Sequence, residues 1–305
     1  MAEESRWDVL IIGGGPAGLS AALILGRCCR RVLVCDRGTP RNWAAKAMYG
    51  FISHDGMAPS DFDAQAHREL QRYPDVQFRE SEVTGASREP DGTFVVKMGS
   101  HVVRARKLLI ATGVMDLLPE IDGAAAMFGV SVFNCPYCDG WEYRGQPLAV
   151  YGRRLRGFEM ARALTAWSRD IVLCTDGPAG FRRSERSGLE RNGIRVIAEP
   201  IARLDGDGGR LSSIVFRDGS RIERSALFFD LPSRSQSPLS RQLGCRFNSR
   251  GGVSCARHQA TSVPGVFVAG NIVRDVQLSV VAAAEGARAA FGINRALTRE
   301  DFDGR

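Results

Sequence analysis

Trp7-Asp8-Val9-Leu10-Ile11-Ile12-Gly13-Gly14-Gly15-Pro16-Ala17-Gly18 is a short apolar run that breaks into a glycine-rich turn, with a helix-like stretch from Leu19 to Arg27 directly behind it. The glycines have the G-x-G-x-x-G spacing in the setting it requires. Gly13 permits the tight turn, Gly15 lets the backbone approach a pyrophosphate, and Gly18 lets the helix pack on the strand, while the helix N-terminus favours negative charge. A second apolar run, Arg31 to Cys35, ends at Asp36, which places a carboxylate where a ribose hydroxyl would sit. Strand, turn, helix, strand and terminal acid together predict a dinucleotide-binding fold. A glycine-rich turn in some other α/β protein would leave the acid unexplained.

Outward from this unit, Pro40 to Gly56 is polar and turn-rich, as a loop against a cofactor would be, and Asp61 to Tyr73 reads as an amphipathic helix. Thr93 to Met98 and His101 to Arg106 read as strands joined by a hairpin-like Gly99-Ser100. Lys107 to Ile110 reads as a separate buried strand ending in Ala111-Thr112-Gly113. The 305 residues suffice for two domains, and 44% hydrophobic with 25% charged residues is the composition of a soluble globular chain. The apolar run Val9 to Leu25 is interrupted by glycines and proline and lacks a basic n-region, so the expectation is a cytoplasmic protein with no membrane span. The net charge of +7 comes from scattered arginines with no basic stripe interleaved with aromatics, which excludes a nucleic-acid partner from the reading.

Eight cysteines without a secretory signal do not make a disulfide framework. Six of them, Cys28, Cys29, Cys35, Cys174, Cys245 and Cys255, read as small apolar residues or inert thiols. Cys135-Pro136-Tyr137-Cys138-Asp139-Gly140 stands apart as a redox-active dithiol. No second ligand pair accompanies it and the four histidines do not cluster, so no metal is expected. In such a pair at a helix start, the helix dipole makes the first thiol the more reactive.

Near the C-terminus, Thr261-Ser262-Val263-Pro264-Gly265-Val266-Phe267-Val268-Ala269-Gly270-Asn271 is a strand leading into a turn, followed by Gln277 and a small-residue helix from Ser279 to Ala290. The nucleotide-binding unit, antiparallel insert, Ala-Thr-Gly strand end, mid-chain dithiol and this closing segment resemble the flavoprotein disulfide reductases, in particular the low-molecular-weight thioredoxin reductases. The resemblance runs from about residue 7 to 297. It implies an α/β architecture of two Rossmann-like dinucleotide-binding folds, with an FAD domain (1–116 and 248–305) split by an inserted NAD(P)-domain-like unit (117–247) that carries the dithiol. It also implies FAD as cofactor and a homodimer. The expected FAD-binding set is Gly13, Gly15, Pro16, Ala17, Gly18, Asp36, Arg37, Arg41, Asn42, Val83, Ala111, Thr112, Gly113, Gly270, Asn271, Gln277 and Leu278. Asn271 departs from the family's usual Asp; it can still hydrogen-bond a flavin carbonyl or ribityl hydroxyl. Catalysis would fall to Cys138 facing the flavin, Cys135 exchanging with the substrate sulfur, and Asp139 shuttling the proton.

The inserted unit departs from the pattern more seriously. After the strand-like Gln146 to Tyr151 comes Gly152-Arg153-Arg154-Leu155-Arg156-Gly157, in which the turn and packing glycines survive but Arg154 stands where a backbone must touch pyrophosphate. After the next strand, Ile171 to Cys174, the chain reads Thr175-Asp176-Gly177 in place of the family's His-Arg-Arg cluster for a 2′-phosphate. Asp176 would repel a 2′-phosphate, although it could accept an NAD ribose hydroxyl. Either the local arginines bind NAD(P)H in a modified way, or the fold persists as a scaffold without a nicotinamide site. Loss of both features together favours the scaffold, and use of NAD(P)H is doubtful. Electrons would then enter from substrate thiols and leave from reduced flavin to oxygen or another acceptor. The Cys-Pro-Tyr-Cys form with Asp-Gly-Trp-Glu behind it is similar to the natural-product dithiol oxidases of gliotoxin, holomycin and depsipeptide type. The expected substrate is a small-molecule or peptide dithiol. An NAD(P)H-dependent disulfide reductase, a ferredoxin-linked thiol reductase and a flavin-holding interaction protein are the alternatives.

Overall fold

The computed structural model describes residues 6–304. In chain order, β1 (Trp7–Ile12), α1 (Pro16–Arg27), β2 (Val32–Asp36), α2 (Pro59–Leu70) and β3 (Val76–Glu80) open the fold. They are followed by β4 (Val83–Arg88), β5 (Phe94–Met98), β6 (His101–Ile110) and β7 (Val114–Asp116). Next come α3 (Ala124–Met127), β8 (Val132–Phe133), α4 (Pro136–Asp139), β9 (Leu148–Tyr151), α5 (Arg154–Leu164), β10 (Ile171–Cys174), α6 (Arg183–Arg191) and β11 (Arg195–Ile197). Then β12 (Ile201–Asp207), β13 (Arg210–Phe216), β14 (Arg221–Glu223), β15 (Ala226–Phe229), β16 (Ser233–Ser235), α7 (Leu239–Gln242), β17 (Val266–Val268) and α8 (Ser279–Asp303) complete it.

Two compact units result, one of Met1–Arg41, Ser60–Met115 and Arg234–Arg305, the other of Asn42–Pro59 and Asp116–Ser233. The chain crosses from the second unit back to the first at Ser233–Arg234, ahead of the expected boundary at 247. The reason is burial: Leu239 and Cys245 sit in the first unit's core with Phe247 packed against it. The loop Asn42–Pro59, expected with the flavin domain, belongs to the second unit, where Trp43 tilts against Phe128 at 6.3 Å.

In the first unit the sheet order is β3-β2-β1-β6-β5-β4, with β17 also on β6. The strands β2, β1 and β17 run parallel to their neighbours and are almost wholly buried, as strands covered on both faces must be. The expected pair of strands 101–106 and 107–110 is one ten-residue strand, because no turn residue separates Arg106 from Lys107 and the ladder continues through them. Its first half pairs antiparallel with β5 and its second half parallel with β1 and β17. Helix α1 begins at Pro16, and it meets α8 where Gly286 leaves room for the Ala17 carbonyl. Helix α8 runs well past Ala290, since Ile293 and Leu297 are buried and Arg30 holds Asp301 at 2.6 Å.

The second unit repeats the design on a smaller scale. Its parallel sheet has the order β11-β10-β9-β15-β8, accompanied by the antiparallel ribbon β12-β13-β14. Among the described residues no helix is long and apolar enough to cross a membrane, and no group of His, Cys, Asp or Glu could hold a metal ion.

Candidate active site

The first nucleotide loop is open. Gly13 has φ 112°, and a Cβ there would strike the Ala111 carbonyl, so only glycine makes this turn. Gly18 lies against the Gly13 carbonyl and fixes the start of α1 on β1. By contrast, a Cβ built on Gly15 meets nothing within 4 Å, and the same holds for Gly113. The Asp36 carboxylate accepts the Gly14 N–H at 2.5 Å and the Gly38 N–H at 2.6 Å, so the acid at the end of β2 braces the loop. Thr112 Oγ1 is buried with no hydrogen-bond partner. A buried hydroxyl in that condition is costly unless a bound group satisfies it. Open space over Gly15 and Gly113 together with an orphaned Thr112 hydroxyl fits a cofactor lying along the carboxyl ends of β1 and β6.

The other residues expected to hold FAD are placed as follows. Pro16 and Ala17 form the first turn of α1, and Ala111 follows β6. Gly270, Asn271, Gln277 and Leu278 lie on the turns between β17 and α8, with Gln277 accepting from Arg41 at 2.5 Å. Arg37 is engaged within its own unit by Thr39 at 2.6 Å, Glu82 at 3.4 Å and Gln236. Val83 is buried in the core, paired with Met98, so it can offer only its backbone. Asn42 belongs to the second unit and not with the first-unit set.

Cys135 and Cys138 are joined in a disulfide whose Cα atoms are 5.3 Å apart. Cys135 caps α4, Pro136 opens it, and the Cys138 N–H lies 3.2 Å from Cys135 Sγ. The helix is a single turn, so one local N–H and not a helix dipole is what acts on Cys135. Gly140 is required by close approach: a Cβ there would meet the Pro136 carbonyl at 2.5 Å and the Trp167 ring at 2.9 Å. Tyr137, between the two cysteines, is 72% exposed and stands edge-on to Trp167 at 5.6 Å. Trp141 is 63% exposed, with the Arg144 guanidinium over its ring at 4.1 Å. Burial, reinforced by the neighbouring Glu142 carboxylate, pushes the Asp139 carboxyl up to about 7. A carboxyl in that range beside Cys138 can both take and return a proton near neutral pH.

The second nucleotide loop is closed. Gly152 and Gly157 touch as their counterparts Gly13 and Gly18 do. Arg154, the counterpart of Gly15, sits at φ 51° and gives its N–H to the Ala179 carbonyl at 2.9 Å. Arg153 does more than the sequence indicated. Its guanidinium donates to the Thr175 carbonyl at 2.5 Å and to the Asp176 carbonyl, and pairs with the Asp176 carboxylate at 3.0 Å. The acid that would read a ribose is therefore bound by a neighbouring cation. The double-arginine sequence was visible; which arginine faces the strand ends depends on the backbone at Arg154 and could not be read from spacing.

A model of the pyridine nucleotide-disulphide oxidoreductase family matches residues 7–286. The chain belongs to this family. It is an oxidoreductase of thioredoxin reductase-like type, and members of that type bind FAD. Thioredoxin reductase sirT of Leptosphaeria maculans is 31% identical over 95% of this chain and 94% of its own length. Thioredoxin reductase tcpT of Claviceps purpurea is 33% identical over 89% and 88%. The crystal structure of HlmI is 34% identical, with a TM-score of 0.95 over 100% of this chain and 96% of its own. These matches run over most of each chain.

Proposed function

We propose that this family member is an FAD-dependent dithiol oxidase that closes an intramolecular disulfide in a small molecule or peptide. The observation that carries the reading is the closed second nucleotide loop, with Arg153 paired to Asp176 and the Arg154 N–H already donated. A reductase that draws its electrons from NAD(P)H must admit a nicotinamide there, whereas an oxidase has no need to.

The balanced reaction is dithiol plus acceptor giving cyclic disulfide plus reduced acceptor; with oxygen the product is hydrogen peroxide. One substrate thiolate attacks Cys135 Sγ, the Cys135–Cys138 bond breaks, and Cys138 leaves as a thiolate. The second substrate thiol attacks the mixed disulfide and releases Cys135, so the substrate is oxidised and the pair reduced. Bound FAD supplies the two-electron exchange between the reduced pair and the acceptor. Asp139 takes up and returns the thiol protons, for which a carboxyl near neutrality is suited. The exposed Tyr137 and Trp141 offer flat apolar surface beside the disulfide, which suits a small ring-bearing substrate. A homodimer located in the cytoplasm is part of the same proposal.

The thioredoxin reductase names of the relatives favour a second reading, an NAD(P)H-dependent disulfide reductase. Anaerobic titration of the flavin spectrum separates the two. The oxidase reading expects bleaching by a small dithiol such as dithiothreitol and none by NADPH or NADH. Rapid stoichiometric bleaching by NADPH would sink it.

A further inference from the structure

The turn after β17 is held by a device that the dithiol chemistry does not use. Gly270 has φ 79° and ψ −159°, a conformation open essentially to glycine alone, and a Cβ there would press on Ala17 at 3.1 Å. Its N–H donates to Glu285 Oε2 at 2.6 Å. Glu285 is 9% exposed on a face of α8 otherwise made of Ala282, Ala283, Gly286 and Ala289. A carboxyl in such surroundings is expensive to bury, and burial raises its pKa.

A second side chain also meets it. Gln259, 4% exposed, hydrogen-bonds the Glu285 carboxyl, and its Oε1 lies 2.9 Å from the Cys255 sulfur as acceptor. Gln259 and His258 both stand at positive φ, 60° and 59°. Two consecutive non-glycine residues in that region are strained, so the surroundings must enforce them. The enforced backbone is what delivers the Gln259 amide to Glu285.

We infer that Glu285, oriented by Gln259, is a positioning residue for FAD, holding through the Gly270 N–H the glycine-only turn of the second flavin-binding segment. The inference uses only the FAD site of the family and is independent of the direction in which the dithiol runs. The full-length chain, stripped of flavin, is titrated with FAD by fluorescence quenching, and the visible spectrum of the rebound flavin is recorded. Glu285→Ala is expected to weaken FAD binding roughly tenfold or more, the scale of a lost hydrogen bond to a charged acceptor, and to shift the flavin bands. Glu285→Gln keeps a carbonyl acceptor and is expected to stay within about threefold with an unshifted spectrum, and Gln259→Ala to fall between. Reduction of Cys135–Cys138 by dithiothreitol, followed by thiol counting, should be the same in all four proteins. Wild-type affinity and spectrum in Glu285→Ala overturns the inference, as does a Glu285→Gln protein as weak as the alanine variant. If Glu285→Ala does not fold, the other two variants decide, and wild-type affinity in Gln259→Ala overturns it.

Discussion

The two nucleotide folds of this chain share a plan and differ at one residue type. Gly13-Gly14-Gly15 leaves open space above Gly15, with Asp36 accepting two backbone N–H groups. Gly152-Arg153-Arg154 keeps the turn and the helix contact, but its acid, Asp176, is paired to Arg153. The turn and the helix contact therefore rest on the first and last glycines, and the open space above the loop rests on the middle one. Moving that middle residue is the sharpest way to break the comparison. Gly15→Arg leaves the backbone unstrained, since Gly15 has φ −74°. It should fold but lose FAD, with affinity falling by at least about 10³-fold, because the side chain fills the space the pyrophosphate needs. Retained yellow protein at stoichiometric flavin would show that the loop is not the site.

The comparison also predicts where the chemistry sits. The closed fold carries the dithiol and Asp139, so substrate turnover should depend on Asp139 and not on the second loop. Asp139→Asn is expected to lower kcat roughly 10²-fold while leaving FAD affinity unchanged. Its stability has a definite sign. The native carboxyl is held up to about 7 against 3.8 in an unfolded chain, so between these values the native state binds more protons. Stability from this group is complete below the unfolded value and is lost as pH rises towards about 7. The Asn variant, with no charge to desolvate, should gain in Tm relative to wild type on going from pH 5 to pH 8.

A matched pair of acids gives a smaller contrast. Asp36→Ala strips the acceptor from the Gly14 and Gly38 N–H groups and should weaken FAD binding by about 10- to 100-fold, as loss of charge-assisted hydrogen bonds does. Asp176→Ala removes a partner from a half-exposed arginine and should cost less than about 1 kcal/mol, with flavin affinity and dithiol turnover unchanged. Equal effects of the two substitutions on FAD would mean that the folds are functionally equivalent.

Much of this was legible in the chain because glycine spacing and apolar runs are local signals. The first loop, the dithiol, the order of the segments and the misfit at Arg154 all follow from residues a few positions apart. Other features depend on contacts distant in sequence. Nothing near Ser233 marks it as the return crossing; Leu239 and Cys245 decide that by joining the first unit's core. Glu285 sits in an alanine-rich helix and looks like a solvated charge until the Gly270 N–H is found on it. The partner of the Arg153 side chain, Asp176, lies beyond a whole helix and strand. Spacing identifies a missing glycine but not the group that takes its place.

The smallest effects test whether the closed loop can be reopened. Arg154→Gly should change stability by less than about 1 kcal/mol, because relief of the left-handed backbone at φ 51° is offset by the entropy of the added glycine. It should not restore nicotinamide binding, since Arg153 still spans the Thr175 and Asp176 carbonyls and pairs with the Asp176 carboxylate. Arg153→Ala with Arg154→Gly removes both obstacles and frees Asp176 to accept a ribose hydroxyl. Weak binding is then expected for NADH and not for NADPH, whose 2′-phosphate the carboxylate repels. Equilibrium titration of nicotinamide fluorescence against wild type, single and double variants measures this directly. Tighter NADPH than NADH binding in the double variant would place the second nucleotide's ribose away from Asp176, and binding already present in the wild type would show that the arginines are ligands and not a lock.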